Sequence, residues 1–140
     1  MSTLTLPGII PNLLRRGSPV TLRPRVYGEV TLMHGGQGVV HDAARGVAVV
    51  DTFGGSPRVV RYGREDVALD LADPTGRAHA AWWLVAGRAW SELEDIVERL
   101  TGNCDLGAWL DWFTMPDQSV SQEMIAELRL VCLHVAGLPS

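Results

Sequence analysis

The spacing of hydrophobic positions changes from a strand period to a helical period partway along the chain. Residues 20–26 alternate between apolar and polar side chains, which is the period of two expected of a half-buried strand. From Asp73 onward, apolar residues recur every three or four positions, as they do on the buried face of a helix. The pattern therefore predicts an α+β protein, with a strand-rich half followed by a helical half.

The strand-rich half is predicted to hold about six short strands between residues 19 and 71. Eleven of the 15 Gly and six of the 8 Pro lie in residues 1–78, where they mark tight turns. Strands joined by tight turns pair as an antiparallel meander, and a short twisted sheet tends to close on itself. With an opening at Gly28-Glu29-Val30 and closing strands at 58–62 and 67–71, the pattern resembles an SH3-like small barrel. We expect this barrel over residues 19–72, after an extended N-terminal arm over residues 1–18.

Four helices are predicted in a helical subdomain over residues 73–140, each from a capping signal. The signals are Asp73 followed by Pro74, Ser91 with Glu94, Asp105, and Ser119 with Gln122. The predicted ends are Gly87, Gly102, Met115-Pro116 and about Ala136. Only Ala72 separates the last strand from the first helix cap, so the two halves are expected to form one cooperative unit.

The end of the last helix, residues 130–136, is apolar on nearly every face. A helix of this kind must be covered all round. It therefore lies either at the centre of the fold or in a subunit interface, and the second reading predicts a homo-oligomer through the C-terminal helix.

The overall composition is that of an ordinary globular protein, with 46% hydrophobic and 20% charged residues. The most apolar stretch, residues 128–138, is shorter than the ~20 residues that a membrane span needs. The N-terminus lacks the basic and apolar runs of a signal peptide. The two cysteines, Cys104 and Cys132, lie in the apolar helical half, which favours reduced thiols and a cytoplasmic location.

Charge is divided unevenly between the halves. All 12 basic residues are Arg. Residues 1–78 carry 9 Arg against 7 acids, a formal +2, whereas residues 79–140 carry 3 Arg against 9 acids, a formal −6. An acidic helical half does not attract phosphate backbones, so a partner of that half is expected to be a protein.

All five Trp lie between residues 82 and 112, which indicates either a bulky helical core or an aromatic surface for a partner. Trp82 and Trp83 are adjacent and point about 100° apart on a helix, so they cannot both face one core. Trp112 lies off the apolar stripe that runs from Leu106 to Phe113. We predict that Trp83 or Trp112 is exposed for a protein partner. The acidic Asp111 and Glu98 of the same half complete this partner-binding set.

Arginines of the strand-rich half define an alternative nucleic-acid-binding surface on a small barrel. The candidates are Arg23, Arg25, Arg58 and Arg61. Arg23 and Arg25 share a strand face, but Arg58 and Arg61 fall on opposite faces of theirs, and acidic residues are interleaved with them. Mixed charge of this kind is typical of a solvated sheet face.

Catalytic and metal-binding patterns are weak. The glycine-rich segment from His34 to Gly38 is followed by a strand, not by the helix N-terminus that an anion-binding loop requires. A metal site from His34, His41 and Asp42 matches no standard ligand spacing, so no metal or cofactor is predicted. The sequence favours a non-enzymatic binding or regulatory protein, such as a phage or mobile-element adaptor or inhibitor. A nucleic-acid-binding barrel is the first alternative and an enzyme of unknown type is the second.

Overall fold

The computed structural model describes residues 4–139 except 24, 28–29, 34–35, 45, 52–55 and 117–118, and the side chains of residues 25–27, 30–33 and 51 are also outside the description. The strands in this part of the chain are Thr5–Pro7 (β1), Pro19–Leu22 (β2), Arg25–Tyr27 (β3), Val30–Met33 (β4), Gly36–Asp42 (β5), Val47–Asp51 (β6), Arg58–Tyr62 (β7) and Val67–Asp70 (β8). The helices are Pro74–Val85 (α1), Trp90–Thr101 (α2), Leu106–Thr114 (α3) and Gln122–Val135 (α4), and a 3-10 turn covers Arg64–Asp66.

Six antiparallel strands form one open sheet in the order β1-β8-β2-β5-β6-β7, while β3 and β4 pair as a separate hairpin. The predicted α+β class is confirmed. The predicted closed barrel is not, because β1 and β7 end the sheet at opposite edges. Within this sheet, the predicted pairing of consecutive strands is seen for β5, β6 and β7. The chain then returns through β8, which pairs with β2 instead of with β7.

The period of two in the sequence corresponds to the two faces of this sheet. One face is buried, and its side chains include Val20, Val40, Val49, Tyr62 and Leu69, each at most 2% exposed. The other face carries the half-buried Thr21 and Val50 and the exposed Val39, Val59 and Arg61. Burying one aliphatic side chain contributes about 1.5–3 kcal/mol, so this one-sided apolar row fixes which face each strand turns inward.

Two compact units divide the chain, one of residues 7–70 and one that joins residues 1–6 to 71–140. The second is called the helical unit below. Its main boundary, between Asp70 and Leu71, lies two residues before the predicted one. The described part of residues 1–18, predicted as an N-terminal arm, contains β1 and a series of turns, and Leu6, Ile10 and Leu13 in it are at most 1% exposed.

Capping chemistry fixes the first and third helices where the sequence predicted. The Asp73 carboxylate accepts a hydrogen bond from the Thr75 amide at 2.8 Å, and Gly87 follows α1 with φ +76°. The Asp105 carboxylate accepts from the Ala108 amide at 3.1 Å and caps α3. Buried Arg77 reinforces the start of α1, because its Nη1 donates to the carbonyls of Leu71 and Ala72.

The predicted caps of the other two helices are wrong. Ser91 lies inside α2, which starts one residue earlier at Trp90 behind Ala89, a residue without a side-chain cap. The cap of α4 is Ser121, whose Oγ accepts from the Met124 amide at 3.2 Å, and not Ser119. Ser119 and Ser121 carry the same hydroxyl group, so residue type alone does not distinguish the two as caps.

The apolar end of α4 lies at the centre of the helical unit. Val131, Cys132 and Leu133 are at most 2% exposed, and α4 packs against α1 and α2. This coverage within one chain removes the reason for placing a subunit interface there. None of the helices in the described ranges combines the length and apolarity that a bilayer crossing requires.

Candidate interaction surfaces

Trp82 and Trp83 point to different sides of α1, as helix geometry requires, but the exposed one is Trp82 and not Trp83 as predicted. Trp83 is only 7% exposed, whereas Trp82 is 52% exposed. The Arg88 guanidinium lies over the Trp83 ring, 4.5 Å from its centroid. Trp83 is therefore a packed residue and not an exposed contact, because it turns toward the side of α1 that also buries Ala80 and Leu84.

Trp90, which the sequence did not single out, is 51% exposed at the start of α2. It lies one helical turn before Leu93, which is 1% exposed. Trp82, Val85 (36% exposed) and Trp90 flank the four-residue connection 86–89, and we call these three side chains the α1–α2 corner.

Arg88 holds the connection of the α1–α2 corner against the end of α1. Its Nη1 donates to the carbonyls of Trp83 at 2.9 Å, Leu84 at 3.2 Å and Ala86 at 3.3 Å. These carbonyls belong to the last turn of the helix and its cap, where intrahelical donors are lacking. One side chain thus caps the helix and stacks on an aromatic ring, so the backbone that carries the exposed tryptophans is restrained.

The solvent side of α2 is acidic. Four carboxylates of this helix are exposed, namely Glu92, Glu94, Asp95 and Glu98. Arg99 is the one basic residue of the helix, and its Nη2 lies 3.1 Å from Nε2 of His134 on α4. Like charges three and four positions apart weaken a helix slightly, so this face is not arranged for helix stability.

The other predicted partner-binding residues lie on two helices. Glu98 is exposed on α2 and Asp111 is exposed on α3, while Trp112 beside it is half-buried. Trp109, by contrast, is fully buried as the stripe predicts, and its ring packs edge-on against Phe113 with centroids 4.9 Å apart.

The predicted basic surface does not form one continuous patch along the sheet. Strand register puts Arg61 on the outer face and Arg58 on the other. Arg23 is exposed just beyond β2, and two strands, β5 and β6, separate β2 from β7. At about 4.8 Å per strand, this separation is roughly 14 Å. Arg25 has no described side chain, so its part in the surface remains a prediction.

Among the described residues no three His, Cys, Asp or Glu side chains lie close enough together to hold a metal ion. His34, one of the three residues whose spacing was compared with metal-ligand patterns, falls outside those residues. Both cysteines are free thiols, with Cys104 exposed and Cys132 buried. Burial raises the pKa of the Cys132 thiol far above its ordinary value, against a smaller lowering by Arg88, so Cys132 is an inert packing residue.

Comparison with known proteins gives no match: no family model fits the chain, and no curated protein or solved structure is significantly similar to it. Function must therefore be argued from the surfaces alone.

Proposed function

We propose that this protein is a non-enzymatic adaptor or inhibitor that recognises a partner protein through the α1–α2 corner. The observation that carries the proposal is the exposure of two tryptophans, Trp82 at 52% on α1 and Trp90 at 51% on α2, on either side of a connection that Arg88 restrains. Tryptophan is usually well covered in monomeric proteins and is enriched among the residues that dominate binding energy at interfaces.

The restrained backbone supports recognition because it lowers the entropic cost of binding. An exposed side chain on a mobile loop must be ordered when a partner binds, whereas the corner is ordered beforehand. The two indole rings offer flat apolar area, which suits a partner surface with an apolar pocket.

The acidic face of α2 favours a basic partner. Its exposed carboxylates follow Trp90 directly along the helix, and the formal charge of residues 79–140 is −6. Complementary charge accelerates encounter and excludes partners of like charge. Binding is therefore expected to weaken as salt concentration rises.

Affinity capture from the source cells, followed by titration with the purified partner, tests the proposal. The bait is compared with Trp82→Ala/Trp90→Ala and with Met115→Ala, a matched control because Met115 is 47% exposed in the same unit. We expect the double variant to lose the partner and the control to retain it. Equal capture by all three baits, or capture of an acidic partner that is insensitive to salt, would overturn the proposal.

Nucleic-acid binding by the sheet remains the alternative prediction. Exposed Arg61 on the outer face and exposed Arg23 just beyond β2 support it, and the two strands between β2 and β7 weaken it, because a phosphate backbone needs a continuous basic track. Binding to DNA or RNA at low salt that is lost in Arg23→Glu/Arg61→Glu would favour this function over the first.

A further inference from the structure

Trp90 and Glu94 are neighbours on the outer surface of α2. The Trp90 side chain is 51% exposed, and Glu94 is exposed as well. Residues four positions apart on a helix lie on the same side, with about 5–6 Å between their Cβ atoms. The helix therefore presents an indole ring and a carboxylate to solvent side by side.

The arginines of the helical half are engaged by other groups. Residues 79–140 contain three Arg, and the structure describes all of them. Their contacts include the Trp83 ring for Arg88, His134 Nε2 for Arg99 and the Thr5 carbonyl for Arg129. Arg99 is nine positions beyond Trp90, which places it about 180° round the helix. None of the arginines of this half therefore serves as the cation for Trp90 and Glu94.

A guanidinium group matches both members of the pair. A cation is attracted to the face of an aromatic ring, and tryptophan is the strongest such partner. The planar guanidinium can stack on the ring while two of its N–H groups donate to one carboxylate, whereas an ammonium group acts as a point charge. Arg88, 4.5 Å from the Trp83 ring centroid, shows the stacking contact within this chain. Arginine is therefore expected to bind better than lysine.

The surroundings of the pair favour the same occupant. Residues 79–140 carry a formal charge of −6, and Glu98, exposed one turn beyond Glu94, continues the row along the helix. A cation is thus attracted from a distance as well as at contact. Arg88 restrains the connection before Trp90 by donating to three carbonyls, so binding orders little further backbone.

We infer that the partner lays an arginine guanidinium on the Trp90 ring and pairs it with the Glu94 carboxylate. The inference rests on the proposed function, because Trp90 belongs to the α1–α2 corner. It narrows the basic partner to a protein that exposes an arginine, and charge complementarity selects this occupant over an apolar segment or a second copy of the acidic half.

A short peptide, acetyl-Gly-Arg-Gly-amide, is the probe, and its Lys, citrulline and Leu counterparts are the comparisons. Citrulline keeps the shape of arginine without its charge. The full chain is titrated with each peptide up to roughly tens of millimolar, because single contacts at exposed sites are weak. We expect the indole Nε1–H resonance of Trp90 to shift with the Arg peptide. The Lys peptide should bind about threefold more weakly, and the two neutral peptides should give no saturable shift.

Two charge-matched variants locate the contact. Glu94→Gln should weaken binding of the Arg peptide about two- to fivefold, as expected for loss of an exposed ion pair. Glu92→Gln is the control and should bind normally, because exposed Glu92 is two positions from Trp90 and faces away from it. Equal effects of the two variants, or equal shifts with the Arg and citrulline peptides, would overturn the inference.

Two other results would also count against it. A Leu peptide that binds as well as the Arg peptide would assign an apolar occupant to the Trp90 ring. A Trp90 shift on dilution of the protein alone would assign a second copy of the chain.

The inference and the proposed function fail in different ways. If Trp82→Ala/Trp90→Ala loses the cellular partner but Glu94→Gln retains it with full affinity, only the inference is wrong. If the Arg peptide binds as expected but the source cells yield no partner, only the proposed function is wrong.

Discussion

The carboxylate of Glu127 is expected to stabilise the folded state by about 2–3 kcal/mol. Its Oε2 accepts from Nε1 of Trp109 at 3.2 Å and from Nδ2 of Asn103 at 3.3 Å. Trp109 is fully buried, so Glu127→Ala leaves its indole N–H buried without a hydrogen-bond acceptor. A stranded buried donor costs about 1–3 kcal/mol, and a hydrogen bond to a charged acceptor contributes about 1.5–3 kcal/mol.

A double-mutant cycle separates this bond from the packing of the ring. Trp109→Phe removes the donor together with part of the ring and is expected to cost about 1–3 kcal/mol. The double variant has no indole N–H left without an acceptor. The destabilisations of the two single variants should therefore add up to about 1–2 kcal/mol more than the destabilisation of the double variant. Urea unfolding followed by far-UV circular dichroism measures each term, with Glu123→Ala, an exposed acid on the same helix, as control. Additive losses within about 0.5 kcal/mol, or a Glu127→Ala cost equal to the control, would refute this account.

Three further predictions concern single positions. Ser121→Ala should lower the free energy of unfolding by about 1 kcal/mol through loss of the α4 cap, while Ser119→Ala should change it little, and thermal unfolding measures the difference. Gly38→Ala should destabilise by about 1–3 kcal/mol, because the added methyl would overlap the Val49 side chain of β6, and an unchanged melting temperature would contradict this. A thiol reagent at neutral pH should modify Cys104 in the native protein and Cys132 only after unfolding, and rapid modification of both would show that the core around α4 opens readily.

Local chemistry predicts helix ends well when a single residue type carries the signal. Asp73 and Asp105 each have one acidic side chain placed to accept a backbone N–H, and both are caps. Gly102 adopts φ +81° at the end of α2, a conformation that most other residues avoid. Near the start of α4, Ser119 and Ser121 are both suitable N-cap residues. Their capping hydrogen bonds would contribute about equally, so the sequence does not decide between them.

The order of strands has no comparable local signal. Turn residues predict which neighbours form hairpins, and β5, β6 and β7 pair accordingly. Pairing of β8 with β2 and β1 joins segments that are far apart in the sequence, where only the total burial of the sheet selects partners. The resulting sheet is open, with β1 and β7 at its two edges, so the closed barrel is not confirmed.

The tryptophan pair shows why the binding surface was harder to predict than the fold. Helix geometry establishes that Trp82 and Trp83 diverge, but the phase of α1 decides which one is covered. The phase could have been read from the small and apolar residues that share a side with Trp83, since Ala80 and Leu84 are both fully buried. Trp82 aligns instead with the polar His79 and the solvent-exposed Ala86.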